Sequence, residues 1–114
     1  MSHSTEQRQA AQQAELDDLI AEAQAATGIL PTIDRCEEMR DALLAHITEL
    51  ADQVRRRLAG FQDGAPEWQR HKQALLQAQG ALTGSFGRGL RSAALHVQTL
   101  GEAAAVLDDC MRDD

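Results

Sequence analysis

The chain has 114 residues, a net charge of −7 and a hydrophobic fraction of 43%. This length suits one small domain with its own core. No apolar run is long enough to span a bilayer, and the polar start of the sequence cannot form the core of a signal peptide. We therefore expect a cytoplasmic protein whose cysteines are reduced.

The first predicted helix covers about residues 5–27. Its first half carries many glutamines but has almost no apolar face, so we predict that residues 1–14 form a polar, frayed extension. Residues 15–114 form the predicted single domain. In the second half of the helix, Leu16, Leu19 and Ile20 recur at helical spacing. We expect this half to pack beside the start of the second helix.

The second predicted helix is the longest, because neither glycine nor proline occurs between Ile33 and Gly60. Its N-cap is either Thr32 or Asp34, and Asp34 would form a capping box with Glu37. The apolar residues recur at steps of three and four, which predicts one buried face. These residues are Cys36, Met39, Leu43, Ile47, Leu50, Val54, Leu58 and Phe61.

The third predicted helix covers about residues 66–82. Its apolar stripe has Trp68, Leu75 and Leu82 at heptad spacing, with Leu76 and Ala78 or Gln79 between them. A glycine-dense turn follows at residues 84–89, and the fourth helix covers about residues 88–111. Short connections favour antiparallel neighbours. The predicted fold class is therefore all-α, an up-down bundle of four helices with a three-helix core (about residues 32–112) and an N-terminal helix.

The two cysteines lie on different helices of this layout. Cys36 begins the second helix and Cys110 ends the fourth, so the up-down arrangement places them at opposite ends of the bundle. A disulfide needs Cα atoms within about 7 Å. We therefore predict two unpaired thiols, with Cys36 in the core and Cys110 near the terminus.

Charge is unevenly distributed along the chain. Residues 1–52 carry a net charge of −8, residues 53–101 of +5 and residues 102–114 of −4. The basic and C-terminal acidic segments meet at one end of the predicted bundle, so we expect them to form intramolecular ion pairs. A nucleic-acid or phosphate site is the alternative, which the overall acidity disfavours. The basic patch consists of Arg55, Arg56, Arg57, Arg70 and Lys72, and the facing acids are Asp108, Asp109, Asp113 and Asp114.

The sequence predicts no catalytic, cofactor or metal site. His46 has Glu49 three residues later, but no second element completes a metal-binding set. The glycine run at residues 84–89 follows a helix and lacks the lysine of a phosphate loop, so we interpret it as an interhelical turn; a weak anion site at the following helix N-terminus is the alternative. If the bundle holds a small ligand, the candidate pocket residues are Phe61, Trp68, Leu107, His46 and His96.

Several short motifs between residues 29 and 111 are similar to those of a known group of proteins. The chain resembles a family of short actinobacterial proteins of unknown function whose genes lie near natural-product biosynthesis genes in streptomycetes. The resemblance implies a bacterial cytoplasmic setting and a helical fold. The matching motifs are Leu30-Pro31, His46-Ile47, Arg56-Arg57, the turn at residues 84–89 and Asp109-Cys110.

From these observations we predict a non-enzymatic interaction or regulatory protein, associated with secondary metabolism in a GC-rich bacterium. Its partner is another protein or a second copy of the chain, bound through the first or second helix as in a homodimer. We do not expect a membrane or nucleic-acid partner. A small-molecule binding protein with a pocket between helices is the alternative, and an enzyme is the third hypothesis.

Overall fold

Four α-helices build the fold of residues 2–84 and 87–112, the residues that the computed structural model describes, with side chains from residue 7 onward. None of these residues belongs to a β-strand. The predicted all-α bundle of four helices is therefore confirmed. The helices are α1 (Ser2–Gln24), α2 (Ile33–Ala59), α3 (Pro66–Thr83) and α4 (Leu90–Arg112).

Thr32 is the N-cap of α2. Its Oγ1 accepts a hydrogen bond of 3.0 Å from the backbone N–H of Arg35, which satisfies a donor that the first helical turn leaves free. Of the two N-cap candidates from the sequence, Thr32 is therefore the cap and Asp34 is not. At the other end the N–H of Gly60 reaches the carbonyl of Arg57. The predicted stripe of α2 is buried as far as Val54, while Leu58 and Phe61 are half-buried.

The helices alternate in direction, and α2 and α4 form a parallel pair at the centre. The C-terminal ends of this pair meet where the guanidinium of Arg57 donates a 3.3 Å hydrogen bond to the carbonyl of Met111. Gln13 contacts Asp108 and Thr27 contacts Gln98, so α1 runs antiparallel to α4. Helix α3 packs on both α2 and α4, and the described residues of α1 and α3 do not contact each other.

Helix α1 packs chiefly on α4, and it also contacts the start of α2, as the sequence led us to expect: Arg35 of α2 donates to the carboxylate of Glu22 at 2.7 Å. Four of its residues belong to the core, which therefore extends beyond the predicted three helices: Leu16, Leu19, Ile20 and Ala23. The side chains of residues 7–12 are exposed, and the expected fraying of residues 1–14 stays a prediction.

A polar cluster ties α1 to the end of α4. Arg112 donates to the Asp17 carboxylate at 2.6 Å and forms a 2.9 Å ion pair with Asp108. Gln13 donates to both Asp17 and Asp108. Hydrogen bonds from Gln13 and Arg112 lower the pKa of Asp17. The carboxylate of Asp108, although buried, thus has partners on two helices, as a buried charge requires.

Helix α3 turns small side chains toward the core. Its buried residues are His71, Ala74, Ala78 and Ala81. The predicted stripe of α3 was wrong, since Trp68 and Leu75 are only half-buried and Leu82 is exposed. The physical reason is space: large side chains of α2 and α4 already fill the centre, and alanines let a third helix lie close to them.

Cys36 and Cys110 are free thiols, as predicted, and both are fully buried. The parallel direction of α2 and α4 places them at opposite ends of the pair. Cys110 lies in the core and not at an exposed terminus. Burial raises the pKa of both thiols above the ordinary value.

Two helical glycines should respond in opposite directions to alanine. A Cβ at Gly80 would meet no atom within 4 Å, so Gly80→Ala should raise the free energy of unfolding by about 0.5–1 kcal/mol through helix propensity. A Cβ at Gly101 would lie 2.8 Å from the Cβ of Ala23, so Gly101→Ala should lower it by about 1–3 kcal/mol. Urea denaturation measures both effects. An increase in the free energy of unfolding with Gly101→Ala would contradict the close packing of α1 on α4.

Candidate functional site

An open groove lies between the outer edges of α2 and α3, with a volume of about 440 Å³. We call it the α2–α3 groove. It exists because α3 approaches the central pair through alanines, so the larger side chains of α3 stand beside α2 and not beneath it. Its lining residues are Ala51, Arg55, Leu58, Lys72, Leu75, Leu76, Ala78, Gln79 and Leu82.

Leucines supply most of the apolar surface of the groove. Leu76 and Leu82 are 49% and 41% exposed, whereas Leu58 and Leu75 are half-buried. Leu75 and Leu76 are neighbours in the sequence and point about 100° apart on the helix, whereas Ala74, Ala78 and Ala81 occupy its buried face. The groove therefore presents apolar side chains whose burial is incomplete.

Two cations stand over this apolar surface, Arg55 from α2 and Lys72 from α3. Both side chains are exposed, and neither forms an ion pair within residues 7–84 and 87–112. No carboxylate is among the nine residues that line the groove. The groove thus combines an apolar floor with a positive charge on each wall.

The five predicted members of the basic patch make different contacts in the structure. Arg55 and Lys72 line the α2–α3 groove, whereas Arg56 pairs with Asp52 of its own helix at 2.8 Å. Arg57 and Arg70 reach the C-terminal end of α4 instead. The sequence therefore grouped residues that the rotation of α2 separates.

The described contacts of Arg57 and Arg70 reach backbone carbonyls of α4, and the expected ion pairs of this patch with the C-terminal acids stay a prediction. Arg57 donates to the carbonyl of Met111, and Arg70 donates to the carbonyl of Asp109 at 3.0 Å. The carboxylate of Asp108 faces α1 instead. The last carbonyls of a helix lack intrahelical donors and carry negative partial charge, so cations suit them. Asp113 and Asp114 lie outside the described residues.

The five candidate pocket residues lie in separate places of the fold. Leu107 is fully buried in the core, and Trp68 lies on an open part of the α3 surface. The ring of Phe61 packs edge-to-face on His71, with ring centroids 4.8 Å apart. His46 lines a polar groove between α1 and α2, and His96 lines a groove between α3 and α4.

His71 is a buried histidine that the sequence did not single out. Its Nδ1–H donates to the carbonyl of Glu67 at 2.8 Å, because a carbonyl can only accept. Its Nε2 has no hydrogen-bond partner among the described residues. Phe61 covers the ring, and the groove does not reach it. His71 therefore belongs to the packing of α3 and not to an open site.

His96 lies under the end of α3, where a Cβ at Gly84 would approach its ring to 3.4 Å. Burial, and then the charge of Arg40, lower the pKa of His96. Gly87 and Gly89 lie between α3 and α4 with positive φ angles of 69° and 85°, which fits the predicted interhelical turn. Phe86 of that turn lies outside the described residues.

Metal ligands do not converge in the part of the chain that the structure describes. No group of three His, Cys, Asp or Glu side chains there could hold an ion. His46 and Glu49 share the polar groove with glutamines of α1. No described helix is long and apolar enough to cross a membrane.

Leu58, Leu75, Leu76 and Leu82 are the groove residues that the sequence analysis missed, because leucines at helical spacing were assigned to the core. The adjacent pair Leu75-Leu76 gave no decisive signal, since neighbouring apolar residues on a helix can both be buried, as Leu19 and Ile20 are. Ala74, Ala78 and Ala81 formed a second stripe that could have been recognised as the inner face.

Comparison with known proteins gives one family. The sequence model described as "Family of unknown function (DUF6415)" matches residues 6–114. The chain belongs to this family. The DUF6415 match confirms the predicted resemblance to a family of unknown function, while actinobacterial origin and the biosynthesis-gene context stay predictions. The chain matches no curated protein and no solved structure.

Removal of the Arg57 guanidinium should destabilise the fold. Arg57→Met keeps the apolar stem but loses the hydrogen bond to the α4 carbonyl, so the free energy of unfolding should fall by about 1–2 kcal/mol. Arg56→Met is the matched control, because its exposed pair with Asp52 contributes less than about 1 kcal/mol. Urea denaturation compares the two. Equal losses would contradict the role of Arg57 at the end of α4.

Proposed function

We propose that the protein is a non-enzymatic interaction protein that binds an amphipathic helix of a partner protein in the α2–α3 groove. The observation that carries the proposal is the orientation of α3. This helix turns alanines to the core and leaves Leu76 and Leu82 in the groove, each with more than a third of its surface exposed. A second apolar helix would complete the burial of these leucines.

The dimensions of the groove favour a helix as its occupant. The lining residues of α3 extend from Lys72 to Leu82, about 15 Å at the rise of an α-helix. The facing residues of α2 extend from Ala51 to Leu58, about 10 Å. These lengths correspond to about two to three turns of helix. A groove between two helices is also the surface that amphipathic helices occupy when they bind through leucines spaced by three and four residues.

The biological setting belongs to the same proposal. We place the interaction in the cytoplasm of a GC-rich bacterium and give it a regulatory role in secondary metabolism. A partner encoded beside natural-product biosynthesis genes is the first one to test. The resemblance described above supports this setting. Self-association through α1 or α2, the other predicted mode, stays a prediction.

A synthetic amphipathic helix tests the groove directly. A peptide with one leucine stripe flanked by glutamines should bind the wild-type chain, as measured by isothermal titration calorimetry. Leu76→Gln and Leu82→Gln should each weaken binding by roughly five- to tenfold, because each removes about half a leucine of buried apolar surface.

Leu95→Gln is the matched control for this experiment. Leu95 is 58% exposed on α4 and does not line the α2–α3 groove, so its replacement should leave the affinity unchanged. Absence of binding to the wild-type chain would overturn the proposed function. An equal loss with Leu95→Gln would show that the peptide binds elsewhere.

A further inference from the structure

We propose that the partner helix is acidic, with carboxylates on both flanks of its leucine stripe that pair with Arg55 and Lys72. This inference rests on the proposed function and specifies the chemistry of the partner. Arg55 stands on the α2 wall and Lys72 on the α3 wall, so a helix between them has one cation on each side.

Each cation shares a helix face with the apolar floor. Arg55 lies four residues after Ala51 and three before Leu58, and Lys72 lies four residues before Leu76. Residues at these spacings are neighbours on a helix surface. A helix that covers the leucines therefore also reduces the hydration of both charges. A charge that loses water without gaining a partner is costly, so an occupant with carboxylates at these two places is favoured.

The neighbours of Arg55 show why this residue is available to a partner. Arg56 pairs with Asp52, and Arg57 donates to the end of α4. Arg55, which precedes both in the sequence, forms no ion pair within residues 7–84 and 87–112, and neither does Lys72. No Asp or Glu of the described residues lines the groove.

The same charges disfavour other occupants. A second copy that brought its own α2–α3 groove to this one would place Arg55 and Lys72 opposite like charges. A nucleic-acid backbone needs an array of cations, whereas this groove has two, above leucines. A flat anionic bilayer cannot follow the recess between two helices, whereas a narrow helix can.

Three synthetic helices with one shared leucine stripe test the proposal, carrying Gln, Glu or Lys on both flanks of the stripe. The Glu peptide should bind the wild-type chain about tenfold more tightly than the Lys peptide, since two exposed ion pairs replace two repulsive ones. The difference should shrink in about 1 M salt, where the Debye length is about 3 Å. Calorimetry on the full chain measures each affinity.

Charge-reversed variants assign the effect to the two cations. Arg55→Glu should bring the Glu and Lys peptides to nearly equal affinity, and Arg55→Glu/Lys72→Glu should reverse the preference. Arg56→Glu changes the net charge as much as Arg55→Glu does, at the adjacent position, and should keep the wild-type preference. If a charge-reversed variant does not fold, the neutral variants Arg55→Gln and Lys72→Gln replace it. Each should reduce the preference for the Glu peptide over the Lys peptide.

The possible failures are distinguishable. Equal binding of the three peptides to the wild-type chain would overturn the acidic partner and leave the proposed function in place. Failure of all three to bind would overturn both. A preference that Arg56→Glu abolishes as fully as Arg55→Glu would show that net charge, and not the groove, selects the peptide. Sedimentation that detects a dimer dissociated by the Gln peptide would assign the groove to a second copy.

Discussion

The parallel packing of α2 against α4 is the interaction on which the other contacts depend. The largest fully buried side chains come from these two helices and include Met39, Leu43, Leu100 and Leu107. Because the pair is parallel, the C-terminal carbonyls of α4 lie beside the end of α2, within reach of Arg57. The outer helices α1 and α3 then pack on the pair without touching each other in the described residues.

The shape of the central pair also explains the groove. Helix α1 approaches α4 closely at Gly101, and α3 approaches the pair through Ala74 and Ala78. Small residues at such contacts let helix axes lie close together. The core is therefore densely packed although the outer helices contribute few large side chains to it. Leu76 and Leu82 remain on the flank of α3 as a result. The close packing of α3 through alanines therefore leaves part of its apolar surface exposed to solvent.

The sequence predicted the elements well but did not predict the α2–α3 groove, for one physical reason. Helical periodicity locates an apolar face relative to its own helix, and this was enough for the buried stripe of α2. Periodicity does not show which face of a helix packs against the neighbouring helices. The heptad that includes Leu75 and Leu82 was therefore assigned to the core. Periodicity also does not tell which neighbour each arginine of α2 meets: Arg55 and Arg57 are two positions apart, and the helix turns them toward different neighbours.

The orientation of α3 about its own axis is the central claim, because both the core and the groove depend on it. Methyl-labelled protein with a soluble paramagnetic agent measures this orientation directly by NMR. The methyl signals of Leu76 and Leu82 should broaden strongly, while those of Ala74 and Ala78 should be protected. Protected leucines together with broadened alanines would show that α3 turns its leucines inward and that the α2–α3 groove does not exist.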